Sequence, residues 1–133
     1  MISKQFRNMT MALTLAFLGP SVMSAHAQDS DGYPNKNPLA GNEEAIQSGA
    51  KLYFKWCVAC HGKHADGVSR FGDYAADLRK FWRGYPEYVR IVLNGRTDKQ
   101  MPPWGGVLDE DEIAQIGAFL ETLQLEGARW EAQ

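Results

Sequence analysis

This sequence of 133 residues is poor in cysteine: Cys57 and Cys60 are the only two, separated by Val58 and Ala59. Zinc wants four ligands, and there is no second Cys-x-x-Cys and no spaced histidine pair to complete such a site. No βαβ pattern surrounds the cysteines, which argues against a thioredoxin-like redox dithiol. Neither charge sign dominates: 14 Lys and Arg stand against 16 Asp and Glu, for a formal net charge of −2. That balance offers no basic stripe, so no nucleic-acid partner is expected. There is no internal repeat, no period-2 strand pattern of useful length, and no twin-arginine pair. The longest apolar run, residues 9–18, is too short to span a bilayer. Residues 62–85 contain no proline.

What the N-terminus does contain is an export pattern. Lys4 and Arg7 form a positive start, residues 9–18 an apolar middle, and Ala25-His26-Ala27 a small-x-small cleavage site. Residues 1–27 are therefore expected to be a cleaved Sec-type signal peptide, giving a periplasmic chain with no stable membrane insertion. The competing reading is an uncleaved N-terminal anchor. Loss of Lys4 and Arg7 leaves residues 28–133 two units more acidic than the whole. That stretch suits one small domain with a limited core.

Cys57-Val58-Ala59-Cys60-His61 then acquires a specific meaning. Two thiols at this spacing can each add across one vinyl group of a haem, and a histidine directly after the second is held under the iron. The pattern reads as a c-type haem attachment site, with Cys57 and Cys60 as the anchors and His61 as the proximal ligand. Attachment needs reduced thiols after export, which agrees with the signal pattern. With both thiols tied to haem, no disulfide is expected. A buried porphyrin would also add apolar surface to a small core.

Elimination supplies a second iron ligand. Of five methionines, Met1, Met9, Met11 and Met23 precede the cleavage site, leaving Met101 alone in residues 28–133. It opens the stiff segment Met101-Pro102-Pro103-Trp104-Gly105, where two prolines fix the backbone. A lone methionine can also be core filler. In a Pro-Pro loop it reads as a preformed distal ligand that closes both axial positions, which suits electron transfer. The alternative, a haem enzyme or gas sensor with an open distal side, would need a catalytic distal group and a vacant iron position, and Met101 argues against it. His64 lies three residues past His61 and reads as exposed.

The coarse pattern is helical. Residues 28–41 carry Pro34, Pro38 and Gly41 and read as an extended arm, taken with Asn42 as residues 28–42. Asn42 is a candidate N-cap for a helix to about Trp56, with Ile46, Gly49, Ala50 and Tyr53 on one stripe. Residues 62–77 read as loop and residues 77–82 as a short helix. Pro86 at the first helical position would begin a helix over 87–93, ended by Asn94-Gly95. Asp109 caps the last helix, whose apolar face is Ile113, Ile116, Phe119, Leu120 and Leu123. Residues 126–133 read as a polar tail. The many aromatics, among them Trp56, Phe71, Tyr74, Phe81, Trp82, Tyr85, Tyr88 and Trp104, are expected mainly in the core and around the haem. Lys51, Lys55, Lys63, Arg70, Arg79, Lys80 and Arg83 could ring its edge and steer a partner.

Residues from about 43 to 123 resemble a class I monohaem cytochrome c. The resemblance rests on Gly49, Tyr53, Cys57, Cys60, His61 and Gly62, on Met101-Pro102-Pro103-Trp104, and on the helix bearing Ile116 and Phe119. It implies an all-α cytochrome c fold over residues 43–125, in which the first and last helices cross beside one covalently bound haem c. Gly49 would permit their close approach, and Tyr53 would pack on the partner helix. It implies an electron-transfer protein, not an enzyme. One departure is the missing proline after the motif, whose carbonyl in that family accepts from the proximal histidine, so the acceptor for His61 is left unassigned. A narrower similarity joins Trp82-Arg83-Gly84-Tyr85, Asn94-Gly95-Arg96 and the Met101 loop to cytochromes serving pyrroloquinoline-quinone (PQQ) alcohol dehydrogenases. It implies such a quinoprotein as donor and an oxidase or another cytochrome as acceptor, with service to another exported dehydrogenase or an oxidase as the alternative.

Overall fold

The computed structural model describes residues 32–132; the signal pattern around Lys4, Arg7 and Ala25-His26-Ala27 lies outside them. Helix α1 runs from Glu43 to Trp56, and its first turn is capped by the Asn42 side chain, which accepts from the Ala45 N–H at 2.9 Å. Glu43 and Glu44 sit at its positive end. A single helical turn, α2, follows at Val58–His61. Helix α3 spans Tyr85–Asn94 and α4 spans Glu110–Thr122. Among the described residues, extended pairing is limited to isolated bridges. The expected all-α class is what the chain adopts.

The frame is the crossing of α1 and α4, which pack more extensively than any other pair of elements. Gly49 makes it possible. A β-carbon there would run into the carbonyl of Gln115 and lie 2.9 Å from the Ile116 nitrogen, both backbone atoms that cannot rotate away. Tyr53, fully buried one turn later, sets its ring 5.4 Å from that of Phe119. Ile113, Ile116 and Leu120 complete the buried face of α4. Each such side chain contributes on the order of 1.5–3 kcal/mol by leaving water. Helix α4 is oriented at its start by a reciprocal cap: Asp109 accepts from the Glu112 N–H at 2.8 Å, and the Glu112 carboxylate accepts from the Asp109 N–H at 3.1 Å.

Several boundaries differ from expectation. Helix α3 begins at Tyr85, so Pro86 occupies its second position, where a missing N–H still costs no intrahelical bond. The short helix expected over 77–82 contracts to a 3-10 turn at Leu78–Lys80. Phe81 leaves it extended because its carbonyl accepts from the Arg129 N–H at 2.8 Å.

That bond corrects a larger reading. Residues 126–133 were expected as a polar tail, but Trp130 is only 6% exposed, with its ring centroid 5.1 Å from those of both Phe81 and Tyr88. The extended arm is likewise built in. Asn37 is buried and donates to the Ala114 carbonyl at 3.0 Å. Arm and tail meet through the Ala132 N–H to the Asn35 carbonyl and through Lys36 with Glu131, both at 2.8 Å. Polar composition misled because one indole and one amide do the anchoring.

Candidate functional site

The site begins where α1 ends. The Cys57 N–H caps α1 on the Tyr53 carbonyl, and the Gly62 N–H closes α2 on the Val58 carbonyl. Cys57, Cys60 and His61 therefore lie on consecutive turns, with both thiols free and half-buried. Burial pushes the Cys57 thiol up to about 12, with Cys60 adding to the effect, so it is held as a neutral thiol. The neighbouring Cys60 side chain is the main influence that raises the Tyr74 pKa.

His61 is fixed by its neighbours. Its Nδ1 lies 3.0 Å from the Ala76 carbonyl. A carbonyl can only accept, so the proton sits on Nδ1 and Nε2 keeps its lone pair. Burial lowers the His61 pKa, opposed by the Ala76 bond, and the ring is held neutral. This arrangement suits a metal-ligating imidazole, whose second nitrogen ordinarily donates to a carbonyl or carboxylate. It also supplies the acceptor that the proline-free segment left unassigned. No side-chain signal could have found it, because the acceptor is backbone. Also outside the sequence reading is the Tyr53 hydroxyl, which donates to the Gly62 carbonyl at 2.6 Å and ties the motif to the helix crossing.

Met101 comes to the same neighbourhood by a different route. Its N–H and C=O pair with the C=O and N–H of Arg96 at 3.0 and 2.8 Å. Beyond the prolines, the Trp104 and Gly105 N–H groups return to the Val92 and Leu93 carbonyls of α3. Trp104 then packs on Trp56, the residue before Cys57, with ring centroids 5.5 Å apart. Cys57, Val58 and Met101 all lie against one buried cluster that includes Tyr53, Val92 and Ile113.

The surroundings fit a large apolar group. Val68, Phe71 and Tyr74, on the loop after the motif, are each more than half exposed. Together with two unpaired thiols and a pre-set imidazole, they form the donor set and apolar cover that a covalently held porphyrin needs. The aromatics divide between the two expected places: Phe81, Tyr85 and Tyr88 pack in the core, whereas Phe71, Tyr74 and Trp82 are exposed. Of the basic residues, Lys55, Arg70 and Arg83 stack on the adjacent rings of Trp56, Phe71 and Trp82. Arg79 is drawn onto Asp77 at 2.9 Å. His64 is exposed, as expected.

Residues 44–120 match the family described as cytochrome c oxidase, cbb3-type, subunit III. Cytochrome c-551 of Bacillus subtilis is 34% identical over 103 residues, covering 75% of this chain and 84% of that protein. The chain belongs to the cytochrome c family. As a cytochrome c it is an electron-transfer protein, not an enzyme, and its cofactor is covalently attached haem c. It is also 32% identical over 102 residues to quinohemoprotein alcohol dehydrogenase ADH-IIG of Pseudomonas putida. That match covers 73% of this cytochrome but only 14% of the dehydrogenase. Among solved structures, cytochrome CL of the methylotroph Methylophaga aminisulfidivorans is similar, with a TM-score of 0.54 and 27% identity. The match covers 67% of this chain and 59% of that one. No helix among the described residues is long and apolar enough to cross a membrane.

Proposed function

We propose that this cytochrome c is a periplasmic one-electron carrier whose haem is held by Cys57 and Cys60 and ligated axially by His61 and Met101. The observation that carries the ligation is the His61–Ala76 hydrogen bond, which leaves Nε2 of a neutral imidazole as the donor atom. Met101 is the complementary donor because its loop is stiffened by two prolines and brought to the motif by the Trp56–Trp104 contact. The bound haem supplies reversible one-electron redox chemistry at iron. With both His61 and Met101 as ligands, the iron would have no position open to an exchangeable ligand.

The donor is a PQQ-dependent alcohol dehydrogenase, and the acceptor an oxidase or another cytochrome. Support comes from the quinohemoprotein relative and from cytochrome CL, together with the similarity of the Trp82–Tyr85, Asn94–Arg96 and Met101–Gly105 segments. The periplasmic address rests on residues 1–27.

The decisive experiment is the spectrum of the oxidised holoprotein. A low-spin spectrum with a methionine–iron charge-transfer band in the near infrared, lost in Met101→Ala, is expected. A high-spin wild type would overturn the closed-site reading. For the partner, stopped-flow mixing with a substrate-reduced quinoprotein alcohol dehydrogenase should reduce the haem on the timescale of turnover, whereas an inert mixture would direct the search to another exported dehydrogenase.

A further inference from the structure

We infer that Gly67 is a positioning residue for the redox centre: its lack of a side chain admits the Ala75–Ala76 peptide and so sets the His61–Ala76 hydrogen bond and the reduction potential. The inference rests on the reading that His61 ligates the iron, and it concerns what tunes that ligand.

The loop after the motif folds back on itself through backbone bonds. The Gly67 N–H donates to the His61 carbonyl at 3.0 Å, the Ala65 N–H to the Gly62 carbonyl at 3.2 Å, and the Leu78 N–H to the Ala65 carbonyl at 2.8 Å. Ala65 is fully buried at φ 56, a left-handed conformation that a residue with a side chain holds only when its surroundings enforce it. Gly67 lies between these anchors at φ +84. A β-carbon on it would collide with the Ala75 carbonyl oxygen, and would lie 3.1 Å from the Ala75 carbonyl carbon and 3.3 Å from that of Ala76. These obstacles are main-chain atoms, so relief requires moving the Ala75–Ala76 peptide itself. The Ala76 carbonyl, in the next peptide along, is the acceptor for His61 Nδ1. Gly67 therefore bears on the peptide that leads into that acceptor, and its β-carbon would also crowd the Ala76 carbonyl carbon itself.

The direction follows from the chemistry. A carbonyl accepting from Nδ1–H raises the basicity of Nε2, and a more basic ligand favours the oxidised iron. Displacing that carbonyl weakens the bond and favours the reduced iron. In the many cytochromes c that place a proline at the acceptor, the ring itself stiffens the backbone. Residues 62–85 here contain none, so close packing against Gly67 takes over that task.

The test uses the mature holoprotein and compares Gly67→Ala with Gly106→Ala. Gly106 has nearly the same dihedral, φ +85, but faces open space, so its variant carries only the backbone cost. Spectroelectrochemistry should place Gly67→Ala about tenfold further toward the reduced form in the one-electron equilibrium, equivalent to about 59 mV. Its low-spin spectrum should be retained and its His61 Nδ1 proton should exchange faster by NMR. Gly106→Ala should match wild type in both. A wild-type potential and exchange rate in Gly67→Ala overturns the inference. If Gly67→Ala yields no holoprotein, Ala76→Gly, which keeps every backbone group but frees the acceptor residue, is read the same way. A raised potential there supports the inference, and unchanged potential and exchange overturn it. Failure of the ligation reading looks different: the wild type itself would lack the low-spin spectrum.

Discussion

The His61 side and the Met101 side of this cytochrome are held by opposite means. On the His61 side, the restraints come from far along the chain. Tyr53 of α1 reaches the Gly62 carbonyl, the ring of His61 reaches Ala76, and Leu78 bonds back to Ala65. On the Met101 side, the restraints nearest the thioether are local, namely the Arg96–Met101 backbone pair, the 3-10 turn at Thr97–Lys99 and two consecutive prolines, and the longer-range ones act beyond them, at Trp104 and Gly105. One side is rigid because the helix crossing makes it so, and the other is stiff by its own chemistry. Damage to the His61 side should therefore spread into the fold, while damage to the Met101 side should stay at the site.

The largest contrast is expected between His61→Ala and Met101→Ala. The first should abolish the low-spin spectrum and sharply lower the urea midpoint of the holoprotein. The second should open the sixth iron position to a weaker or exchangeable ligand while leaving helix content by circular dichroism close to wild type. Equal loss of structure in the two would break the comparison. Next, Tyr53→Phe removes the hydroxyl that shares the buried Gly62 carbonyl with the Ala65 N–H. It should cost about 0.5–1.5 kcal/mol in urea unfolding, with Met101 ligation retained in the near infrared. Pro103→Ala should cost about 0.4–1 kcal/mol, acting through the unfolded chain, and leave the His61 side unchanged.

The smallest effect sharpens the His61 side through pH. The Asp77 carboxylate, hydrogen-bonded by the Arg79 guanidinium, is held below its ordinary range. A depressed folded pKa means its stabilisation is present above the ordinary carboxylate value and is lost as pH falls through the lowered one. The stability difference between wild type and Asp77→Asn should thus be at most about 1 kcal/mol near neutrality, because the pair is partly solvated, and should vanish in acid. A difference that grows on acidification would contradict this sign.

Much of the helix frame was legible in the sequence because it rests on short-range chemistry. Asn42 and Asp109 cap helices in the structure as their side chains and positions require. The apolar stripe of α4 buries Ile113, Ile116 and Leu120. The candidate ligands could be named from spacing and elimination alone, because Cys57, Cys60 and His61 are adjacent and Met101 has no competitor downstream. The anchoring of residues 126–132 was not legible. Trp130 finds Phe81 and Tyr88 across the fold, and no periodicity announces a single indole.

By itself, then, the sequence determined the helices, their caps, and the identity of a haem-binding chain, since each depends on residues close together or on a residue type present once. Tertiary structure decided which backbone carbonyl faces His61, how Tyr53 joins the motif to the helix crossing, and how arm and tail close over α4. Those are contacts between main-chain groups and distant side chains. Every residue but proline carries the same carbonyl and N–H, so only the path of the folded chain selects which of them meet.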